Sequence, residues 1–254
     1  MIRSVAALSL SNLLALSALC AQTGTTPTRG PDGGTETFVT GIEVLPYPGL
    51  PFTGSETIVR LRTLPDGASI TSTLTAKKVR DSQGRIYDER HHFTGGDVDS
   101  QKTMYQFQIL DPTTHTRTDC VVATKQCVVT PYRPRLTFAQ MPVGTFDNGR
   151  RVGSREALGE KMIDDLNTIG TRESVTLAPG TIGNDKQVTL SRDFWYSPEL
   201  KTNLQVIRND PRDGVITLSL VIQSRTEPDP SSFAVPAGYR VVPPHSPPPP
   251  VPSN

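Results

Sequence analysis

Short runs of alternating apolar and polar residues fill most of the chain between residues 37 and 242. Successive side chains of a β-strand point to opposite faces of a sheet, so this period of two predicts strands with one buried face. Turn sequences such as Pro65-Asp66-Gly67 separate neighbouring runs, which predicts an antiparallel arrangement. The runs are Thr37–Glu43, Glu56–Thr63, Ile70–Arg80, Arg85–Phe93, Tyr105–Leu110, Lys186–Tyr196, Asn203–Arg208 and Gly214–Arg225.

The stretch Ser154–Gly170 fits two different elements. Its Leu, Met and Ile residues recur every three or four positions, which slightly favours an α-helix. It also fits a hairpin with strands Ala157–Ile163 and Leu166–Leu177 about a turn at Asp164-Asp165. The Thr and Val residues of the second run favour that hairpin. The residues themselves leave the choice open.

Composition supports a β-rich fold. The chain holds 23 Pro and 20 Gly, a content typical of many short strands joined by tight turns rather than of long helices. Residues 131–153 show no period and predict a connection between two halves of the chain. We therefore predict a mainly β protein with a single curved antiparallel sheet or half-barrel over residues 37–242, and few or no long helices.

The two ends of the chain differ from this body. Residues 1–21 have the pattern of a signal peptide, with a short positive start, an apolar core and a cleavage site. Lipid anchoring at Cys20 is disfavoured, because Leu19 stands where a lipobox has a small residue. We predict a flexible N-terminus at residues 22–36 and a disordered Pro-rich tail at residues 243–254. The mature protein is then periplasmic or extracellular, without a transmembrane segment.

Two cysteines remain after the predicted leader is removed. Cys120 and Cys127 lie in two β-branched runs with a polar turn between them. A hairpin of this kind brings paired cysteines within bridging distance, and an exported protein meets an oxidising compartment. Redox and metal pairs are usually closer in sequence, as in C-x-x-C. The spacing therefore predicts a structural disulfide.

Candidate catalytic and metal-binding groups are sparse. His91 and His92 are weak metal candidates, because neighbouring residues of a strand point to opposite faces and cannot both ligate from it. The sequence has no G-x-S-x-G and no phosphate-binding glycine loop, and its charge is nearly balanced, with 26 basic and 25 acidic residues. We therefore predict no enzyme activity, no cofactor and no nucleic-acid partner.

Aromatic residues in the last quarter of the chain are the candidate ligand wall. Phe194, Trp195 and Tyr196 are consecutive, so strand alternation puts Trp195 on the face opposite the other two. One face of this strand is then core, and the other is either exposed or covered by the later segment that contains Phe233 and Tyr239. These five side chains form either core or the wall of a ligand cleft, and their bulk favours the core.

Several short motifs occur in order along residues 55–242. They include Arg80–Arg85 (RDSQGR), Trp195–Leu200 (WYSPEL) and Phe233–Tyr239 (FAVPAGY). In these motifs the chain resembles an uncharacterised family of secreted bacterial proteins of the acidobacterial type, which usually lacks the cysteine pair. More remotely, its strand order resembles LolA/RseB-like periplasmic lipoprotein-binding folds, whose curved sheet wraps a hydrophobic cavity. The resemblance implies a hairpin rather than a helix after Ser154, and no established activity.

Two functions are compatible with these features. The first is an exported cell-envelope protein that binds or senses an apolar ligand, a lipid or a lipoprotein acyl chain, in the concavity of the sheet. It predicts a large apolar cavity. The second is a protein–protein interaction or structural module of the envelope, which pairs with another envelope protein through a strand edge or the Pro-rich tail. It predicts a filled core.

Overall fold

One sheet of thirteen β-strands dominates the computed structural model, which describes residues 41–94 and 103–244. The sheet is open and curved, as predicted from the sequence. The first six strands are β1 Phe52–Thr63, β2 Ser69–Arg80, β3 Ile86–His91, β4 Met104–Asp111, β5 Thr116–Val121 and β6 Gln126–Pro131. The others are β7 Gly144–Phe146, β8 Arg151–Ile163, β9 Leu166–Leu177, β10 Val188–Ser197, β11 Thr202–Asp210, β12 Gly214–Ser224 and β13 Arg240–Val242.

The described ranges contain a short 3₁₀ turn at Pro230–Phe233. No helix within those ranges is long and apolar enough to cross a membrane. The predicted signal peptide, the flexible segment at residues 22–36 and the tail beyond residue 244 lie outside the described residues.

The chain runs through the sheet as two antiparallel meanders that meet at its centre. Strand order is β13-β6-β5-β4-β3-β2-β1-β12-β11-β10-β9-β8-β7, and only β13 pairs in parallel, with β6. The first meander leaves the centre at β1 and runs out to β6, beside which β13 forms one edge of the sheet. Residues 132–143 then connect to the opposite edge, from which the second meander returns to β12. The connection predicted over residues 131–153 is shorter, because β7 and the start of β8 lie within it.

Apolar residues at alternating positions fall into register across the centre of the sheet. Ile58 pairs with Leu218, Leu218 with Val206, and Val206 with Phe194, so one row crosses β1, β12, β11 and β10. All four side chains are buried in the largest hydrophobic cluster. Each such burial stabilises the fold by about 1.5–3 kcal/mol. We call the face that carries this row the inner face, and the opposite one the outer face.

Residues 41–51 pack across the inner face without forming a strand. The predicted strand Thr37–Glu43 is therefore wrong at residues 41–43, and its first residues lie outside the described ranges. Ile42 and Val44 are buried in the central cluster, where they fill the sheet's own concavity. The backbone N–H of Ile42 donates to Glu56 Oε1 instead of to a neighbouring strand.

A single arginine fixes this segment. Arg80 is fully buried at the end of β2, and its guanidinium donates to three backbone carbonyls, those of Leu45, Leu50 and Leu200, at 2.7–2.9 Å. Burial lowers the pKa of Arg80 to about 10. We call this arrangement the Arg80 clasp. The first arginine of the RDSQGR motif thus joins residues 41–51 to the turn after β10.

The outer face is covered by the C-terminal segment. The predicted disulfide is present: Cys120 and Cys127 are cross-strand partners on β5 and β6, and both are fully buried. Phe233 and Tyr239 pack against the cluster that contains the disulfide and Phe107. The FAVPAGY motif therefore closes a second core on this half of the sheet.

The ambiguous stretch is a hairpin, formed by β8 and β9. The helix that its periodicity slightly favoured is wrong, and the hairpin implied by the family resemblance is right. A β-bulge between Ala157 and Gly159 inserts an extra residue into β8. This bulge and the two-residue turn before β9 place apolar residues four positions apart, which imitates helical spacing.

Candidate functional site

The five aromatic residues proposed as a ligand wall do not line one surface. Phe194 is buried in the central cluster of the inner face, and Tyr196 lies on the same face, edge-on to Phe138. Phe233 and Tyr239 lie over the outer face of the other half of the sheet. Sequence alternation correctly separated Trp195 from its two neighbours, but no single cleft contacts all five residues.

Trp195 has a local packing role on the outer face. A Cβ atom at Gly170 would lie 2.6 Å from the Trp195 ring, so the glycine allows the indole to lie flat on β9. Lys161 Nζ stands 3.8 Å from the ring centroid and donates to Gln205 Oε1 at 2.9 Å. This cation–π contact, together with the hydrogen bond, occupies the exposed side of the ring.

The two histidines proposed as weak metal candidates occupy different surroundings. His91 is buried, with Nε2 3.1 Å from Glu89 Oε2 and Nδ1 2.9 Å from Thr103 Oγ1. His92 is exposed and stacks on Tyr105. Across residues 41–94 and 103–244, no group of three His, Cys, Asp or Glu side chains could hold a metal ion.

Two clefts in the N-terminal half are lined mainly by groups that already have partners. One, of about 220 Å³, lies beside residues 41–45. Its lysine and its three arginines pair with carboxylates: Lys78 and Arg90 with Asp88, Arg117 with Asp119 and Arg135 with Glu43. The other, of about 330 Å³, contains the two histidines with Arg60, which stacks on Phe93. Both linings also contain apolar side chains.

A row of charged residues crosses the inner face next to the apolar row. It runs through six strands in register, from β1 to β8, and every position except Ile216 is charged. Because cross-strand neighbours stand about 5 Å apart, the register alone brings these distant residues together. The row consists of Arg60, Ile216, Arg208, Arg192, Glu173 and Arg155.

The C-terminal part of this row forms one wall of a small amphipathic cleft of about 120 Å³. Arg192 and Arg208 project from β10 and β11, and Arg212 and Arg151 add two further guanidinium groups. The apolar lining comes from β9 and β10, a few residues further along each strand, and from the connections before β7 and after β9. It consists of Val175, Leu177, Leu190, Met141 and Ile182. We call this site the arginine cleft.

Carboxylates frame the arginine cleft without matching its positive charge. Arg212 donates to both oxygens of Asp210, at 2.6 and 2.8 Å. Burial alone would raise the pKa of Asp210, but these hydrogen bonds hold it below the usual range. Arg155 donates to Glu173 Oε1 at 2.8 Å, while Glu173 Oε2 has no hydrogen-bond partner and lies 3.9 Å from Arg192.

Sequence reasoning missed the arginine cleft, although a signal was present. Arg192 alternates in phase with Leu190 and Phe194, and Arg208 alternates in phase with Val206. A charged residue in the phase of buried apolar neighbours points into the covered face of a sheet. Only the register shows that the two arginines stand opposite each other.

Comparison with known proteins gives distant structural similarity only. No family model matches the chain, and no curated protein does. Among solved structures, an uncharacterised conserved protein from Thermus thermophilus is similar at a TM-score of 0.40 and 14% identity, covering 77% of this chain and 91% of that one. A LolA superfamily protein from Nitrosomonas europaea follows at 0.30 and 12%, covering 73% and 90%. The lipoprotein LppX of Mycobacterium tuberculosis gives 0.27 and 14%, covering 71% and 91%. The family resemblance inferred from the motifs stays a prediction.

Proposed function

We propose that this protein is a non-enzymatic binding protein of the bacterial envelope that holds part of an apolar ligand, a lipid or an acyl chain, on the inner face of its sheet. The observation that supports this proposal is the arginine cleft. It combines an aliphatic lining with charged groups at its mouth, as ligand sites for amphiphiles require.

The size of the cleft limits how the ligand is held. A volume of about 120 Å³ is well below that of sites that enclose a whole drug-sized ligand. The centre of the inner face is also filled by Ile42, Val44 and Phe52. We therefore propose that the cleft takes one end of the ligand and that the rest of the ligand lies outside the filled centre.

The candidate catalytic groups already have partners within the protein, which supports a binding role rather than an enzymatic one. Both ring nitrogens of the buried His91 already have partners in Glu89 and Thr103. The two cysteines are joined in a disulfide, and a disulfide sulfur is not an available nucleophile. Export of the protein rests on the predicted signal peptide.

Native mass spectrometry of the mature protein, purified from an envelope fraction without detergent exchange, tests this proposal. We expect a lipid-sized adduct that organic solvent removes. A matched preparation of the variant Leu190→Asp, which places a carboxylate among the aliphatic side chains, should lose the adduct while it keeps the mass of an intact disulfide. An adduct that persists unchanged in this variant would contradict binding at the arginine cleft.

One observation favours a second candidate, the interaction module. β7 pairs with β8 only over Arg151–Gly153, so residues 154–163 of β8 have no strand neighbour on their outer side among the described residues. An open edge of this length accepts an added strand from a partner. The same spectrum tests this function, because a stoichiometric protein adduct would favour it, and a chain without any adduct would contradict both candidates.

A further inference from the structure

We infer that the polar end of the ligand is an anion, a phosphate or a carboxylate, which the guanidinium groups of Arg192 and Arg208 bind at the mouth of the arginine cleft. This inference rests on the proposed function, because it assigns the headgroup of the same apolar ligand. It concerns only the chemistry of that headgroup and leaves the length of the apolar chain open.

The charge of the cleft supports an anionic ligand. Its lining contains four arginines, Arg151, Arg192, Arg208 and Arg212, against one carboxylate, Glu173. Asp210 and Asp147 stand just outside the lining and pair with Arg212 and Arg151. These outer pairs hold the two flanking arginines in place, so the middle of the cleft is the position where an anion gains most.

Arg192 and Arg208 occupy that middle position. They are direct cross-strand partners on β10 and β11, an arrangement in which two like charges repel each other. Arg192 lies 3.9 Å from the Glu173 carboxylate, and Arg208 lies 4.0 Å from the Asp210 carboxylate. An anion between the two guanidinium groups would relieve this repulsion, and Arg208 is too deeply buried for solvent to screen it well.

The chemistry of arginine selects the class of anion. A guanidinium group presents its N–H donors in a planar fork that matches two oxygens of a phosphate or carboxylate. Leu190 and Val175 lie directly beside the arginine pair, one pleat further along β10 and β9. A ligand with its oxygens on the arginines therefore directs its first carbons onto an aliphatic surface, which makes an anionic amphiphile the best fit.

Calorimetric titration with three probes tests the headgroup. Decyl phosphate carries both features, decanol carries the chain alone, and inorganic phosphate carries the anion alone, all below the concentration at which micelles form. We expect decyl phosphate to bind at least about tenfold more tightly than either of the other two. We expect Arg192→Gln to weaken decyl phosphate about tenfold and to leave decanol unchanged, since only the charged hydrogen bonds are lost.

Arg172→Gln is the matched control. Arg172 is the residue before Glu173 on β9, faces the outer side, and pairs with Asp193 there, so its loss should change none of the three affinities. Equal binding of decyl phosphate and decanol would overturn the anion assignment while the proposed function stands. Equal binding of decyl phosphate and inorganic phosphate would identify a free-phosphate site and overturn the lipid function. Binding of none would overturn both.

Discussion

Buried arginines serve two different purposes on the inner face of this sheet. Arg80 has no exposed surface, and each of its three donor directions ends on a backbone carbonyl, two in residues 41–51 and one in the turn after β10. Arg192 and Arg208 stand opposite each other and line a cleft together with aliphatic side chains. The first arrangement is complete within the chain. The second faces a cleft.

The partners of a cation on the inner face indicate whether it stabilises the fold or is suited to binding. A guanidinium whose donors all reach main-chain carbonyls stabilises the fold, because removing it leaves buried acceptors without donors. Two like charges in register at a cleft repel each other, and such a pair suits the recognition of an opposite charge. The motif RDSQGR belongs to the first kind, since it contains Arg80.

The variant Arg80→Met breaks the clasp and should have the largest effect. It leaves the carbonyls of Leu45, Leu50 and Leu200 without their donor, and each buried acceptor left in this state costs about 1–3 kcal/mol. We expect the free energy of unfolding to fall by about 3–5 kcal/mol, measured by urea titration followed by circular dichroism. The free energy of unfolding of Arg80→Lys should lie between that of Arg80→Met and that of the wild type. A loss below about 1 kcal/mol for Arg80→Met would contradict the clasp.

Replacing both disulfide cysteines, Cys120→Ala with Cys127→Ala, should have the next largest effect. The bridge closes a short loop across β5 and β6, and chain-entropy arguments give about 2.5 kcal/mol for a loop of this length. The loss is on the outer face, so the affinity for decyl phosphate should stay within twofold of the wild type. A larger change in affinity would mean that the two faces are coupled, which the comparison does not predict.

Gly84→Ala tests how closely residues 41–51 pack on the turn after β2. Gly84 has a φ of +82°, and a Cβ there would lie 2.6 Å from the carbonyl oxygen of Pro46. We expect a loss of about 1–3 kcal/mol in the free energy of unfolding. Gly67→Ala is the control, because Gly67 has a similar φ of +85° but open space around it. Equal losses in the two variants would show that the close contact with Pro46 contributes nothing.

Arg192→Gln should have a small effect on stability, in contrast with Arg80→Met. Arg192 lies 3.9 Å from the Glu173 carboxylate, a long distance for an ion pair, and removing its charge also relieves the repulsion from Arg208. We expect the free energy of unfolding to change by about 1 kcal/mol or less in the same urea titration. If the free energy of unfolding fell as much as in Arg80→Met, Arg192 would stabilise the fold in the way that Arg80 does.

The smallest expected effect is the change in the stability contributed by Asp210 as the pH falls. Hydrogen bonds from Arg212 outweigh burial and lower the pKa of Asp210 in the folded protein. The ionised carboxylate therefore stabilises the fold above its unfolded-chain pKa of about 3.9, and this contribution disappears as the pH falls through the lower folded value. We expect the stability difference between wild type and Asp210→Asn to shrink as the pH falls from about 5 to about 2. A difference that grows on acidification would contradict the assigned direction.

Most of the sheet could be predicted from the sequence, because strands with one buried face show a period of two. The prediction failed where that period is broken. The bulge at Ala157 and Gly159 made β8 and β9 resemble a helix, and β7 is too short to show any period. Residues 41–43 alternate like a strand, but Glu56 and the Arg80 clasp hold them on the inner face without a neighbouring strand.

The candidate site was much less predictable. The aromatic residues stood out in the sequence because they are large and rare, yet Trp195 and Tyr239 complete local cores. The residues of the arginine cleft come from four separate strands and three connecting loops or turns, so their proximity depends on register over more than sixty residues of chain. In the sequence, the alternation that puts Arg208 on the same face as Val206 identifies only one residue of the site.

We propose that the ligand binds at the arginine cleft and not on the filled centre of the inner face. A decyl phosphate analogue with a photoactivatable diazirine on its chain, followed by peptide mass spectrometry, tests this claim directly. The account predicts adducts in β9 and β10, close to Val175 and Leu190, and their loss when unlabelled decyl phosphate competes. Adducts on residues 41–51 or around the disulfide, with none on β9 or β10, would contradict it.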